Sequence, residues 1–165
     1  MNDAIRITRI LVPIDGSEFS CYAAEHAVRI AQAYGSEVIF LHVVDDQIVA
    51  HLAHGESPDG ATRVRDRLVE QGRVYLHDVA RLAEAQTLAH QEVVAEGDPC
   101  AVICDTGAHS GVNLIVMGKM GRRGARRILV GSITRRVIEC TELPVLIVTT
   151  PLRDAGGDDV TKSPS

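Results

Sequence analysis

Five short apolar segments alternate along the chain with longer segments of helical spacing. The apolar segments are nearly continuous rather than alternating, which is typical of parallel strands covered on both faces. We predict strands at 5–14, 37–44, 89–95, 112–117 and 145–149. The segments between them repeat apolar residues every three or four positions, which predicts helices at 18–34, 61–86, 99–109 and 132–141. This order predicts a single α/β domain with an open five-stranded parallel sheet and helices on both faces.

Residues that start and stop secondary structure support these bounds. Gly35 is a stop for the first helix, and Asp98 and Pro99 are typical of an N-cap and a first helical position. Residues 45–60 are polar and irregular, and we predict a mobile loop there, with one helical turn within it as an open alternative. We expect the domain to span 1–150 and the polar segment 151–165 to be a disordered tail.

Length and composition exclude several classes of protein. The chain has 165 residues, of which 45% are hydrophobic and 24% charged. These values are typical of globular domains that bury a core without needing disulfides or metal ions. No apolar run approaches the about 18–20 residues needed to cross a bilayer, and the N-terminus has no secretory pattern. We therefore expect a cytoplasmic protein with no membrane contact.

The charge is distributed unevenly. The net charge is −5, yet the segment from Lys119 to Arg136 is rich in Arg and contains no acidic residue. One short basic segment in an acidic chain suits a single small anion. Aromatic residues make up only 3% of the chain, so the sequence offers no stacking platform for bases, and we expect no nucleic-acid partner.

The four cysteines are Cys21, Cys100, Cys104 and Cys140. Without a secretory signal, we expect all four to be reduced thiols. Cys100 and Cys104 would share one face of a helix, either as half of a metal site or as two small buried hydrophobic residues. The second interpretation is favoured because no C-x2-C pair accompanies them.

The segment with the clearest chemistry is Gly118-Lys119-Met120-Gly121, followed after nine residues by Gly131-Ser132. It joins a predicted strand to a predicted helix. Glycines allow a close backbone approach, and N–H groups of such a loop and of the helix start can bind a phosphate. It is neither a P-loop nor a dinucleotide fingerprint. On spacing alone, a glycine-rich structural turn explains it equally well.

Taken together, four segments resemble the universal stress protein family. They are Leu11-Val12-Pro13-Ile14-Asp15-Gly16-Ser17, Leu41-His42-Val43, Ile115 through Ser132, and Cys140-Thr141-Glu142-Leu143-Pro144-Val145-Leu146-Ile147-Val148. The resemblance covers about residues 6–149, and the glycine spacing is that of the family's ATP-binding subgroup, G-x2-G-x9-G-[ST]. It implies a Rossmann-like sheet of order 3-2-1-4-5, similar to the adenine nucleotide alpha hydrolases, with its ligand at the point where strand order reverses.

The resemblance also implies a nucleotide site. Asp15 would bind the ribose or lie near the adenine, although it is also a candidate turn or cap residue. Pro13, Ile14 and Val43 would flank the adenine. The remaining implied contacts, to the ribose and the phosphates, are Met117, Gly118, Gly121, Arg122, Gly131, Ser132, Ile133 and Thr134. Ser132 is also a candidate cap, and Arg135 and Arg136 are expected to be solvated surface charges. The ligand would be ATP or another adenine nucleotide, a cyclic one included, with Mg²⁺ or Mn²⁺ held through the phosphates.

No residue stands out as a catalytic base, so we expect slow or negligible hydrolysis. The expected function is that of a nucleotide-responsive stress or regulatory factor with an unknown protein partner. The apolar strand 145–149 would be an exposed edge, and the resemblance implies a homodimer through it. Two alternatives stay open: a slow ATPase or autophosphorylating enzyme, and a dimeric interaction module that ignores nucleotide.

Overall fold

The computed structural model describes residues 6–121 and 130–150. Its centre is a five-stranded sheet in the order β3-β2-β1-β4-β5, with every neighbouring pair parallel. The strands are β1 (Arg9–Pro13), β2 (Glu37–Asp45), β3 (His90–Gly97), β4 (Leu114–Gly118) and β5 (Val145–Val148). The predicted fold class and strand order are therefore confirmed.

Five helices connect these strands. They are α1 (Glu18–Tyr34), α2 (Asp46–Leu52), α3 (Pro58–Glu84), α4 (Pro99–His109) and α5 (Ser132–Cys140). α1 and α3 bury their apolar faces on one side of the sheet, whereas α4 and α5 cover the other side. Within β1, Ile10 and Val12 belong to the first core and Leu11 to the second, and all three are fully buried. Burial on both faces explains why the strand sequences read as continuous apolar runs.

The ends of the helices follow the residues that the sequence pattern singled out. Gly35 ends α1 with φ 68°, a left-handed conformation that glycine adopts without steric cost. Asp98 caps α4 by accepting a hydrogen bond of 3.0 Å from the backbone N–H of Ala101, and Pro99 is the first helical residue. Both caps confirm the predicted bounds.

The predicted loop at 45–60 is wrong, because the segment contains a helix. The Asp45 carboxylate accepts a hydrogen bond of 2.8 Å from the N–H of Gln47 and so caps α2. The buried Val49 anchors α2, which packs on α3. A second cap, Ser57, lets α3 begin at Pro58, three residues before the predicted start. Two turns of helix are too short for a readable period, and their stability comes from packing.

The expectation of four reduced thiols is also wrong. Cys104 and Cys140 form a disulfide between α4 and the end of α5. The two residues are 36 positions apart, and only the packing of α4 on α5 brings them together. Cys100 is buried, as the interpretation of a small hydrophobic residue predicts, and Cys21 is half-buried.

No helix within the described residues is long and apolar enough to span a lipid bilayer. The predicted tail at 151–165 lies outside those residues.

Gly72 of α3 packs directly against His42 of β2, and a methyl group there is expected to destabilise the fold. A Cβ at Gly72 would overlap the ring of His42, whose Nδ1 lies 2.8 Å from the carbonyl oxygen of Ile14. Alanine favours a helix over glycine by up to about 1 kcal/mol, but overpacking costs about 1–3 kcal/mol. We expect Gly72→Ala to lower the free energy of unfolding by about 1–2 kcal/mol, measured by urea denaturation.

The exposed neighbour Arg73 provides the control for this substitution. Arg73→Ala should change the free energy of unfolding by less than about 0.5 kcal/mol. A Gly72→Ala protein as stable as the wild type would show that the contact with His42 does not limit the approach of α3.

Candidate functional site

The strand order reverses between β1 and β4, and this point defines a crevice. The two strands are parallel neighbours that pair at Ile10 with Leu114 and at Leu11 with Ile115. From β1 the chain passes to α1 on one face, and from β4 it continues to α5 on the other. No chain connection therefore crosses between the carboxyl ends of β1 and β4. In open α/β sheets, ligands bind at such a point.

A cleft of about 810 Å³ occupies this position. Its lining includes nearly all the residues that the sequence singled out. These are Pro13, Ile14, Asp15, Val43, Met117, Gly118, Gly121, Gly131, Ser132, Ile133 and Thr134. Arg122 lies outside the described residues. Segments about 100 residues apart in the chain thus meet at one site.

Two glycines let the chain after β4 pack closely against the chain after β1. A Cβ on Gly118 would lie 2.6 Å from the backbone carbonyl of Phe19, at the start of α1. A Cβ on Gly121 would overlap the carboxylate of Asp15. Any larger side chain at either position would have to displace its neighbour, so these glycines set the width of the cleft.

The base of the glycine-rich segment is closed by a backbone hydrogen bond. The N–H of Gly131 donates to the carbonyl oxygen of Lys119 at 2.8 Å. Residues 119 and 131 are therefore held side by side, whatever lies between them. The segment begins and ends at the same edge of the cleft, next to the first turn of α5.

Asp15 has a structural role as well as a place in the cleft. Its Oδ1 accepts a hydrogen bond of 3.0 Å from the N–H of Ser17, which forms the turn before α1. Ser17 in turn caps α1 by accepting from the N–H of Ser20 at 3.2 Å. Asp15 is half-buried, with Oδ2 directed towards Gly121. One carboxylate oxygen thus fixes the turn while the other faces the glycine-rich segment.

The start of α5 has no side-chain cap. Gly131 is the N-cap residue, so the alternative interpretation of Ser132 as a cap is wrong, and the exposed Ser132 occupies the first helical position. The hydroxyl of the buried Thr134 donates to the carbonyl oxygen of Gly118 at 3.1 Å and joins α5 to the end of β4. The first N–H groups of a helix lack acceptors within it and favour anions nearby.

The cleft is also lined by residues that sequence reasoning did not place in a site. His42 on β2 and Tyr75 on α3 line the cleft, and their ring centroids are 5.7 Å apart. Gln47 and Ile48 of α2 lie beside them, together with Gln71 of α3. The hydrogen bond between Nδ1 of His42 and the carbonyl oxygen of Ile14 holds the His42 ring in place. Nothing in the local sequence marks the α3 residues, because they join the site only through packing.

An ion pair connects α4 and α5 at the edge of the cleft. The guanidinium of Arg136 donates two hydrogen bonds, of 3.0 and 2.9 Å, to the carboxylate of Asp98. The hydrogen bond from Arg136, aided by the N–H of Ala101, lowers the pKa of Asp98. Arg136 is exposed, as expected for a solvated surface charge, and it also lines the cleft. Arg135 is exposed and lies 3.8 Å from Glu139, as expected for a surface charge.

Burial raises the pKa of the Cys100 thiol, and the positive charge of Arg136 opposes this shift. Cys100 follows Asp98 and Pro99, which line the cleft, but Cys100 is not itself one of the lining residues.

Known proteins resemble this chain over most of its length. Universal stress protein MJ0531 of Methanocaldococcus jannaschii is 34% identical over 146 residues, which cover 88% of this chain and 84% of that protein. The structure of hypothetical protein MJ0577, from the same organism, superposes with a TM-score of 0.79 at 26% identity, covering 90% of this chain and all of that one. A universal stress protein from Archaeoglobus fulgidus, solved in complex with dAMP, shares the fold with a TM-score of 0.64 at 18% identity, over 88% of this chain and 100% of that one.

The sequence model of the Universal stress protein family matches residues 6–149. This range contains all five strands and all five helices described above. The chain belongs to the universal stress protein family.

Proposed function

We propose that this protein binds an adenine nucleotide, ATP or a close relative, in the cleft between β1 and β4. The observation that carries the proposal is the meeting of the glycine-rich segment, the Asp15 carboxylate and the uncapped start of α5 around one cavity. A purely structural turn would explain the glycines, but it would not require the open volume beside them.

The phosphates, the ribose and the adenine of a nucleotide would each contact a different part of the cleft. The phosphates would lie at the start of α5, where backbone N–H groups and the exposed Ser132 hydroxyl donate to anions. The ribose hydroxyls would donate to Asp15. The adenine would lie between Pro13, Ile14 and Val43, with Met117 at the floor of the cleft. The A. fulgidus protein solved with dAMP is consistent with such a ligand in this fold, although its likeness to this chain concerns the fold alone.

A divalent ion such as Mg²⁺ or Mn²⁺ would be held mainly by the phosphates. Among the described residues, the only group of three or more acidic, His or Cys ligands is a cysteine cluster outside the cleft. Asp98, an acidic residue that lines the cleft, is already engaged by Arg136. The chain would therefore bind the nucleotide, and the ion would neutralise its phosphate charge.

Gly121→Val is expected to weaken ATP binding by at least about tenfold, a loss of about 1.4 kcal/mol. The valine side chain would occupy the space between the glycine-rich segment and Asp15. Isothermal titration with ATP and Mg²⁺ measures the effect. Because the valine would also push against the Asp15 carboxylate that fixes the turn before α1, a thermal melt of the free variant is measured alongside to show that it is folded.

Two further variants test the assignment. Arg135→Ala removes a charge beside the cleft but outside its lining, and it should bind ATP like the wild type. Asp15→Ala should bind ATP and 2′,3′-dideoxy-ATP equally, whereas the wild type should prefer ATP, because only Asp15 is assigned to the ribose hydroxyls. A wild-type protein that binds no adenine nucleotide at millimolar concentration would refute the proposal.

We also propose a homodimer through β5. This strand is one edge of the sheet and carries four consecutive apolar residues, of which Leu146 is 38% exposed. The carbonyl oxygens of Pro144 and Val148 accept from Ile115 and Lys119 on the β4 side. Because the hydrogen-bonding direction alternates along a strand, Val145 and Ile147 direct their backbone groups to the open edge. An antiparallel second copy would pair with these groups.

Ile147→Pro is expected to give a monomer. Proline removes the N–H at the open edge without removing a hydrogen bond to β4. Ile147→Ala keeps that N–H and is the matched control, which should still dimerise. Size-exclusion chromatography with light scattering separates the 17.8 kDa chain from its dimer. A wild-type protein that is monomeric at micromolar concentration would contradict the proposed dimer.

The regulatory role follows from where the nucleotide would bind. ATP would contact both ends of the glycine-rich segment, at Gly118, Gly121 and Gly131, and would restrain α2, whose Gln47 and Ile48 line the cleft. The surfaces that these two segments present to a partner would therefore depend on the bound nucleotide. We expect saturating ATP to slow amide hydrogen exchange in both segments, with the far end of α1 as the internal reference. If a protein shown to bind ATP had unchanged hydrogen exchange in both segments, the proposed regulatory mechanism would be refuted.

A further inference from the structure

Three of the four cysteines meet on the face of the sheet that carries α4 and α5. Cys100 and Cys104 lie one turn apart on α4, and Cys140 is the last residue of α5. Their three sulfur atoms all lie within 4.8 Å of one another. Cys104 and Cys140 form the disulfide, and the Cys100 sulfur is 3.6 Å from the Cys140 sulfur. The free thiol of Cys100 therefore lies next to the Cys104–Cys140 disulfide.

The three sulfurs form a triangle rather than a line. A thiolate attacks a disulfide along the sulfur–sulfur axis, which would put Cys100 and Cys104 about 5.6 Å apart for a normal S–S bond of about 2.05 Å. Their separation is at most 4.8 Å. The arrangement is therefore poorly aligned for thiol–disulfide exchange. Instead, it surrounds a common centre.

A tetrahedral zinc site requires such a triangle. Zn–S bonds of about 2.3 Å place thiolate sulfurs about 3.8 Å apart, close to the 3.6 Å between Cys100 and Cys140. The spacing of Cys100 and Cys104, i and i+4 on one helix, also places two ligands on one face. We propose that Cys100, Cys104 and Cys140 bind one Zn²⁺ ion when the disulfide is reduced, with a water molecule as the fourth ligand.

Disulfide and metal exclude each other. A dithiol or phosphine reductant supplies two electrons, and with two protons it converts the Cys104–Cys140 bond into two thiols. Zn²⁺ then displaces the thiol protons into solvent, and its own oxidation state does not change. In the disulfide form only Cys100 keeps a thiolate donor, so that form lacks the site.

The surroundings of the cluster suit a cation held by thiolates. Cys100 lies in the first turn of α4, where the helix dipole favours negative charge. Arg136 favours negative charge on the same sulfur, whereas burial and the negative charges of Asp98 and Glu139 oppose it, and a bound divalent cation would relieve that repulsion. Cys140 is exposed, which gives the ion an entry path and leaves room for a water ligand.

Cobalt titration of the full-length protein tests the site, because Co²⁺ bound to thiolates absorbs intensely in the near ultraviolet. The protein is reduced with a phosphine, freed of reductant without oxygen, and titrated with Co²⁺ alone. We expect one Co²⁺ per chain, with sulfur-to-cobalt charge-transfer bands and the visible bands of tetrahedral cobalt, both abolished by Zn²⁺. The unreduced protein should show neither set of bands.

Cysteine variants identify the ligands. Cys100→Ser leaves the disulfide pair intact, yet in the reduced protein it should weaken Co²⁺ binding by more than about 100-fold. Loss of a residue that only hydrogen-bonds to a metal ligand already costs about 10–100-fold in metal affinity, and loss of a ligand should cost more. Cys21→Ser, outside the cluster, should bind like the wild type. Reduced wild-type protein without charge-transfer bands, or Cys100→Ser with unchanged affinity, would overturn the proposal.

Alkylation of the reduced wild type gives a test without substitutions. Zn²⁺ should slow the modification of Cys100, Cys104 and Cys140 by iodoacetamide, mapped by peptide mass spectrometry, and leave the rate at Cys21 unchanged. Equal rates with and without Zn²⁺ at all four cysteines would overturn the site. These outcomes are independent of nucleotide binding, since no step of either test uses ATP.

Discussion

The site depends on one constraint: β1 and β4 are neighbours whose chains leave the sheet towards opposite faces. The crevice between their ends is empty of connections, and its width is set by how closely the two following segments approach. Gly118 against the backbone of Phe19, and Gly121 against Asp15, allow the closest approach. The Ser17 cap of α1, the hydrogen bond between Gly131 and Lys119, and the hydrogen bond from Thr134 to Gly118 all hold this geometry in place.

The fold could be predicted almost entirely from local patterns. Strands buried on both faces leave continuous apolar runs, and Asp98, Pro99 and Gly35 give helix ends that do not depend on distant contacts. The exception was α2. Its seven residues make only two turns and bury a single side chain, that of Val49, so they are too few to show a helical period. Its stability comes from the Asp45 cap and the packing on α3, and the second of these cannot be read from the segment itself.

Only part of the candidate site could be predicted from the sequence. Residues that directly follow β1 and β4 could be predicted to meet, because the carboxyl ends of adjacent parallel strands lie at one edge. The wall formed by His42 and Tyr75, the Asp98–Arg136 ion pair and the Cys104–Cys140 disulfide could not. Each of these joins residues more than 30 positions apart in the chain and depends on how the helices pack over the sheet. Arg136, which seemed an ordinary surface charge next to Arg135, differs from it only in which side of α5 it occupies.

The two edges of the sheet differ in chemistry, and this difference limits how far the sheet can extend. β5 presents apolar side chains, whereas β3, at the other edge, carries the exposed Gln91, Glu92 and Glu96. A second copy approaching β3 edge to edge would bring like charges together and would have to desolvate them. In the proposed dimer, two-fold pairing through β5 would use the apolar edge of both copies and leave the β3 edges, with Glu92 and Glu96, outside. Growth of a continuous sheet would therefore stop at two chains, so an aggregation-prone strand can be tolerated within a closed assembly.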